Sequence, residues 1–195
     1  MGTSANKLAV PLLPLVPRLE LDANGQALLA GLAEAAGGVE RLAAAGRMPD
    51  ALRLVAHALP KREAVWWACM CARAVPEAAP NPLDAQALAA AELWVRRPDE
   101  ASRRAAMVAA QASGCRGPEA WAAVGAFWSG GSMAPEGQPE VPPADNLTGV
   151  AIAGAIILAA MRSRPERGPE RLSRFLAAAR DIAAGGAGRL SPEED

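Results

Sequence analysis

The sequence predicts an all-α fold, an irregular stack of helical hairpins of the α-solenoid-like or orthogonal-bundle kind. Three observations predict it. Alanine, the strongest helix former, supplies much of a 51% hydrophobic content. Proline stands six times where a helix would open, each time with an acid inside the first turn. The openings at Pro49, Pro82 and Pro118 lie 33 and 36 residues apart, and the first two are each followed by another opening 11 or 16 residues on, as in successive hairpins. No consensus of large and small residues repeats with that period, so a regular repeat array ranks second.

The elements follow in order. Residues 1–22 form an extended arm: Pro11, Pro14 and Pro17 recur every third residue, the period of a polyproline II helix. That leaves Leu12, Leu13, Leu15 and Val16 to face something apolar, either the chain's own domain or another chain. Three prolines and the lack of a small-residue cleavage site argue against a signal peptide. Residues 23–184 form one helical domain. A first helix is expected near 25–36. Pro49-Asp50, Pro60 with Glu63, Pro82 with Asp84, Pro98 with Asp99 and Glu100, Pro118-Glu119 and Pro169-Glu170 then open helices near 49–59, 61–75, 82–96, 98–113, 118–129 and 169–184. Proline there lacks an N–H that would be orphaned anyway, and the acid complements the positive end of the helix dipole.

The helix from Lys61 carries an unbroken apolar run, Ala64 to Ala72, that covers every face over two turns, which marks it as the central, buried element. The last helix instead sets Leu172, Phe175, Leu176, Ala179 and Ile182 on one face. Leu147 to Met161 is the most apolar stretch. It falls short of the about 20 residues that span a bilayer and holds two glycines, so it is expected as a buried core helix near 146–162. Its Ala151, Ala155 and Ala159 row would also suit a membrane dimer, which keeps a membrane-associated protein as an alternative. Residues 185–195 read as a disordered tail.

A formal net charge of −1 gives no general reason to bind nucleic acid or an anionic membrane. From residue 162 to 189, however, Arg162, Arg164, Arg167, Arg171, Arg174, Arg180 and Arg189 face only Glu166, Glu170 and Asp181. A solvated helix face with pairs such as Glu170 and Arg174 is expected, and an anionic-partner patch is the alternative.

Catalytic side chains are scarce. His57 is the only histidine and there is no tyrosine, which removes multi-histidine metal sites and most acid–base designs. Cys69 and Cys71 lie about 200° apart on a helix and cannot share a metal or a disulfide. With Cys115 they are expected as free thiols, Cys69 and Cys71 in the core, which suits a reducing cytoplasm. A nucleophile built from Cys71 or Cys115 with His57 is formally open. Ser129-Gly130-Gly131-Ser132 lacks the lysine of a phosphate loop and reads as a helix stop. No cofactor is expected.

The segment from Ser129 to Asn146 holds four prolines and three glycines, and loops longer than about 12–15 residues in compact domains are usually functional or disordered. It is the expected recognition surface for a protein partner. Trp128, Ser132, Met133, Glu136, Glu140 and Val141 are its candidate contacts, joined by Leu12 and Leu15 of the arm. Glu136, Glu140 and Asp145 favour basic groups on that partner. The expected function is a non-enzymatic helical adaptor; a small enzyme with its site at 129–146 is the first alternative, and the membrane-associated protein is the second.

Leu59-Pro60-Lys61-Arg62-Glu63-Ala64-Val65-Trp66-Trp67-Ala68-Cys69, Phe127-Trp128-Ser129-Gly130-Gly131-Ser132-Met133-Ala134-Pro135 and Val141-Pro142-Pro143 resemble an uncharacterised family of small bacterial proteins, a domain of unknown function. The resemblance covers roughly residues 50–185. It implies no catalytic residue and no cofactor. The family is associated with type VI secretion gene clusters, which implies a secretion-system component as partner by neighbourhood and not by mechanism.

Overall fold

The computed structural model describes residues 6–77 and 79–193. Among them are nine α-helices: α1 (Ala23–Leu29), α2 (Ala35–Ala44), α3 (Met48–Ala58), α4 (Lys61–Ala74), α5 (Pro82–Arg96), α6 (Glu100–Ala112), α7 (Pro118–Phe127), α8 (Leu147–Met161) and α9 (Gly168–Ala183). Short 3-10 turns occupy Val16–Leu19 and Pro165–Arg167. The fold is all-α, and the described residues contain no strand, only one antiparallel bridge between Pro11 and Glu34.

The proline openings work as expected. Proline sits in the first turn of α3, α5, α7 and α9, and Pro60 precedes α4. Side-chain caps complete other ends: Asp22 accepts from the Gly25 N–H at 2.7 Å, and Asp99 from the Ser102 N–H at 2.8 Å. Because Asp99 is the cap, α6 starts at Glu100 and not at Pro98. The single helix expected near 25–36 is a correction. The chain turns at Gly31, whose φ is +77°, and a second helix begins at Ala35. That helix has no proline opening, and its Gly38 looks like a breaker. Tertiary packing explains the glycine: a Cβ there would lie 2.8 Å from Leu54 Cδ2.

Helices α4, α7 and α8 hold the core together. α4 packs against α5, α7, α8 and α9, and α8 packs against α3, α4, α7 and α9. Contacts that skip along the chain are those of a bundle, since a solenoid unit touches only its neighbours. Trp67 is 0% exposed, and its Nε1–H donates to the Phe175 carbonyl at 2.9 Å, tying α4 to α9. α4 is not buried on every side, because Trp66 and Met70 are half-buried. α7 approaches α8 closely at Gly125, where a Cβ would stand 2.7 Å from Ile152 Cδ1.

Both ends differ from expectation. The arm is no polyproline II helix over its described residues, 6–22, and residues 1–5 lie outside the described residues. It turns repeatedly, exchanges backbone hydrogen bonds with the start of α2 (Leu12 N to Ala33 O, 2.9 Å; Ala35 N to Val10 O, 2.9 Å) and buries Leu8, Leu12, Leu15 and Leu19 in the common core. Of the disordered tail expected at 185–195, residues 194–195 lie outside the described residues, and residues 185–193 have a defined path. They fold back over α4 and α9, with the Glu193 N–H donating to the Ala74 carbonyl at 2.8 Å.

Candidate functional site

The long loop is built from its base upward. Arg103 on α6 is buried, stacks 4.6 Å over the Phe127 ring, and donates to the carbonyls of Phe127 and Ser132. Arg104 donates to Ala134 O at 3.0 Å and Lys61 to Ser129 O at 3.0 Å. Glu100 receives both arginines, and the Arg103 guanidinium holds its carboxyl below the usual range. Within the loop, the Ser132 hydroxyl accepts from the N–H groups of Ala134 (3.1 Å) and Val141 (3.0 Å), and Met133 N–H donates to Val141 O at 2.8 Å. Ser132 is thus a staple that closes the loop from 133 to 141. The tip, with Glu136, Gly137, Gln138 and Glu140, stands in solvent, Met133 is half-buried, and Val141 is exposed.

Next to this loop lies a surface that the sequence did not single out. α8 has eight inward residues, among them Ala151, Ile152, Ala155, Ile156, Ala159 and Ala160. The rest fall on one outward arc: Leu147, Val150, Ala153, Gly154, Ile157, Leu158 and Met161, covering about 140° at 3.6 residues per turn. Val150, Leu158 and Met161 are 43%, 39% and 38% exposed. No polar side chain interrupts the arc. Trp121 of α7 lies over Gly154, within 3.7 Å of the position a Cβ would take, and meets Trp128 edge-on with ring centroids 6.4 Å apart. Trp128, half-buried, begins the loop, so arc, indoles and loop form one continuous surface.

On the other flank the arc floors a groove of 460 Å³ between α8, α3 and the arm's 3-10 turn. Arg18, Glu20, Arg53 and His57 line it above Val150, Gly154 and Ile157. The His57 ring packs on Gly149, where a Cβ would meet Nδ1 at 2.2 Å. Burial, with Arg18 and Arg53 nearby, pushes the His57 pKa down to about 4, so its imidazole is neutral at pH 7.

A second cavity, of 310 Å³, opens between α4, α5, α7 and the returning tail. Arg162 there pairs with Glu119 at 2.6 Å and Glu77 at 3.3 Å, and Arg73 pairs with Glu92. Among the described residues, Asp84 is the one charged lining residue without an ion pair, and its Oδ1 is buried with no hydrogen-bond partner.

Of the candidate contacts, the structure therefore gathers Trp128, Ser132, Met133, Glu136, Glu140 and Val141 at one loop. It does not bring Leu12 and Leu15 to that surface, because both are core residues, 1% and 8% exposed. Cys69 and Cys71 are fully buried, and burial pushes both thiols up, away from thiolate. Cys115 donates its thiol to Ala110 O at 3.3 Å. Among the described residues no group of three or more His, Cys, Asp or Glu side chains is placed to hold a metal ion. No single helix among them is long and apolar enough to cross a membrane.

A family model described as a family of unknown function, DUF6931, matches residues 38–183. No curated protein matches the chain, and no solved structure does.

Proposed function

The chain belongs to this family of unknown function, DUF6931, and from that premise we propose that it is a non-enzymatic helical adaptor that binds another protein through the outward arc of α8 and the adjoining loop. The wholly apolar arc carries the proposal. Helices at the surface of a soluble bundle normally turn a polar face outward, and large contiguous apolar patches mark interaction surfaces. The half-buried Trp121 and Trp128 supply the rigid aromatic anchors favoured at such interfaces, and the pinned loop adds exposed carboxylates at the rim. The proposed setting is a secretion apparatus, on the resemblance described above.

A photo-crosslinking side chain placed at Leu158, with a control at Val108 on α6, which is 66% exposed, tests the proposal in the native host. A discrete protein adduct from position 158 and none from 108 supports it. Adducts from both positions, adducts to lipid, or none at 158 in a folded variant sink it.

A further inference from the structure

The arginine-rich last helix is not the solvated face expected of it. Arg171 is 2% exposed and fully engaged. Its Nη1 donates to the carbonyls of Ala160 (2.9 Å), Arg162 (2.7 Å) and Arg164 (3.2 Å), while Nε and Nη2 grip the two carboxylate oxygens of Glu193 at 2.9 and 2.8 Å. Arg167 and Arg174 approach the same carboxylate at 3.2 and 3.4 Å, and Glu193 keeps only 6% of its side chain exposed. The expected Glu170 pair with Arg174 is replaced by this one. One carboxylate thus faces three guanidinium groups, and the Arg171 guanidinium holds it below the usual carboxyl range.

The segment that delivers Glu193 is held as a peptide ligand is held. Trp66 Nε1–H donates to Ala187 O at 2.8 Å, Arg174 to Ser191 O at 2.6 Å, and Glu193 N–H to Ala74 O at 2.8 Å. Of its other side chains, Ser191 and Pro192 are exposed, and Leu190 is half-buried against the core. A buried guanidinium requires an anion, but backbone carbonyls and one carboxylate are available on any extended acidic segment. The three arginines lie inside the stretch matched by the family, residues 38–183, and Glu193 lies outside it.

We propose that Arg167, Arg171 and Arg174 form a carboxylate-reading peptide socket, occupied in cis by Ser191-Pro192-Glu193, and that an extended acidic segment of a partner protein takes it by displacing this tail. The socket is distinct from the α8 arc and stands whether or not that arc binds a partner. Because Pro192 also walls the cavity beside Asp84, displacement would open that cavity.

The test uses the full chain carrying Glu193→Gln and a capped peptide of residues 187–193, whose glutamate is its only carboxylate, titrated by calorimetry. The variant should bind the peptide at least about tenfold more tightly than the parent, whose own tail competes, and a peptide with glutamine in that place should lose at least about tenfold. Equal affinities for parent and variant, equal affinities for the two peptides, or no saturable binding to a folded variant overturn the proposal. If Glu193→Gln does not fold, hydrogen exchange on the parent decides. Excess peptide should deprotect the Glu193 amide, and unchanged protection at saturation refutes displacement. Analytical ultracentrifugation guards the identity of the occupant, because a parent that dimerises by exchanging tails would make it a second copy and overturn the partner assignment.

Discussion

Trp66 and Trp67 are neighbours in one apolar run, and their replacement by alanine separates the tertiary structure from the sequence pattern. Trp67 is 0% exposed and bonded to the Phe175 carbonyl. A tryptophan buries about 150–250 Å², which at about 25 cal/mol per Å² is about 4–6 kcal/mol. Alanine retains part of that, so Trp67→Ala should cost about 3–5 kcal/mol, the usual range for a large aromatic truncated in a core. Trp66 is half-buried and makes one hydrogen bond, to Ala187 O in the tail. Trp66→Ala should therefore cost about 1–2 kcal/mol from reduced burial and that bond. Against a total stability of about 5–15 kcal/mol, the first loss takes a third or more of the total in most of that range and the second a much smaller share. Urea titration followed by far-UV circular dichroism, which does not depend on the deleted indole, measures both. Equal losses, or a larger loss at Trp66, would refute the placement of α4 described here.

Three further outcomes are expected. Gly149→Ala should cost about 1–3 kcal/mol by forcing His57 off its seat, and the double variant with His57→Ala should recover part of the loss in a melting comparison. The His57 pKa of about 4 lies below its ordinary value of 6.5, so the unfolded chain takes up a proton first. Stability from this group is complete above pH 6.5 and declines as pH falls towards 4. Because the side chain is only partly buried, the decline is on the order of 1 kcal/mol after solvent screening, and His57→Gln should remove that part of the pH dependence of unfolding. Arg103→Met should free the base of the loop, raising proteolytic cleavage between residues 133 and 141 while the helices stay folded; cleavage at the parent's rate would show that Ser132 closes the loop unaided.

The local signals in this chain were reliable because they act through the backbone of the residues that carry them. Proline without an N–H and an acid in the first turn announced α3, α4, α5, α7 and α9, whose observed starts fall on or beside the proline in each case. Where the start depends on something else, the sequence was less informative. The Asp99 cap delayed α6, and α2 begins after Glu34 with no such mark and with a glycine inside that only its packing against Leu54, Leu29 and Leu12 explains. The loop from 129 to 146 was legible from its prolines and length. Its anchoring by Arg103 was not, since that residue sits 29 positions before the Ser132 carbonyl it holds.

By itself, then, the sequence determined the all-α class, most helix boundaries, and the loop as the place where the helical pattern stops. The tertiary structure decided what faces outward. In α8 every side is apolar, so hydrophobic periodicity carries no direction, and only the packing of α3, α4, α7 and α9 around it selects the arc from Val150 to Met161 that stays partly exposed. The same holds for charge: Arg171 and Glu193 stand 22 residues apart and read as parts of a solvated helix and a free tail. Their burial together follows from the path of the chain after α9, because the free energy of an ion pair depends on the distance and desolvation of its members and neither is written in sequence spacing.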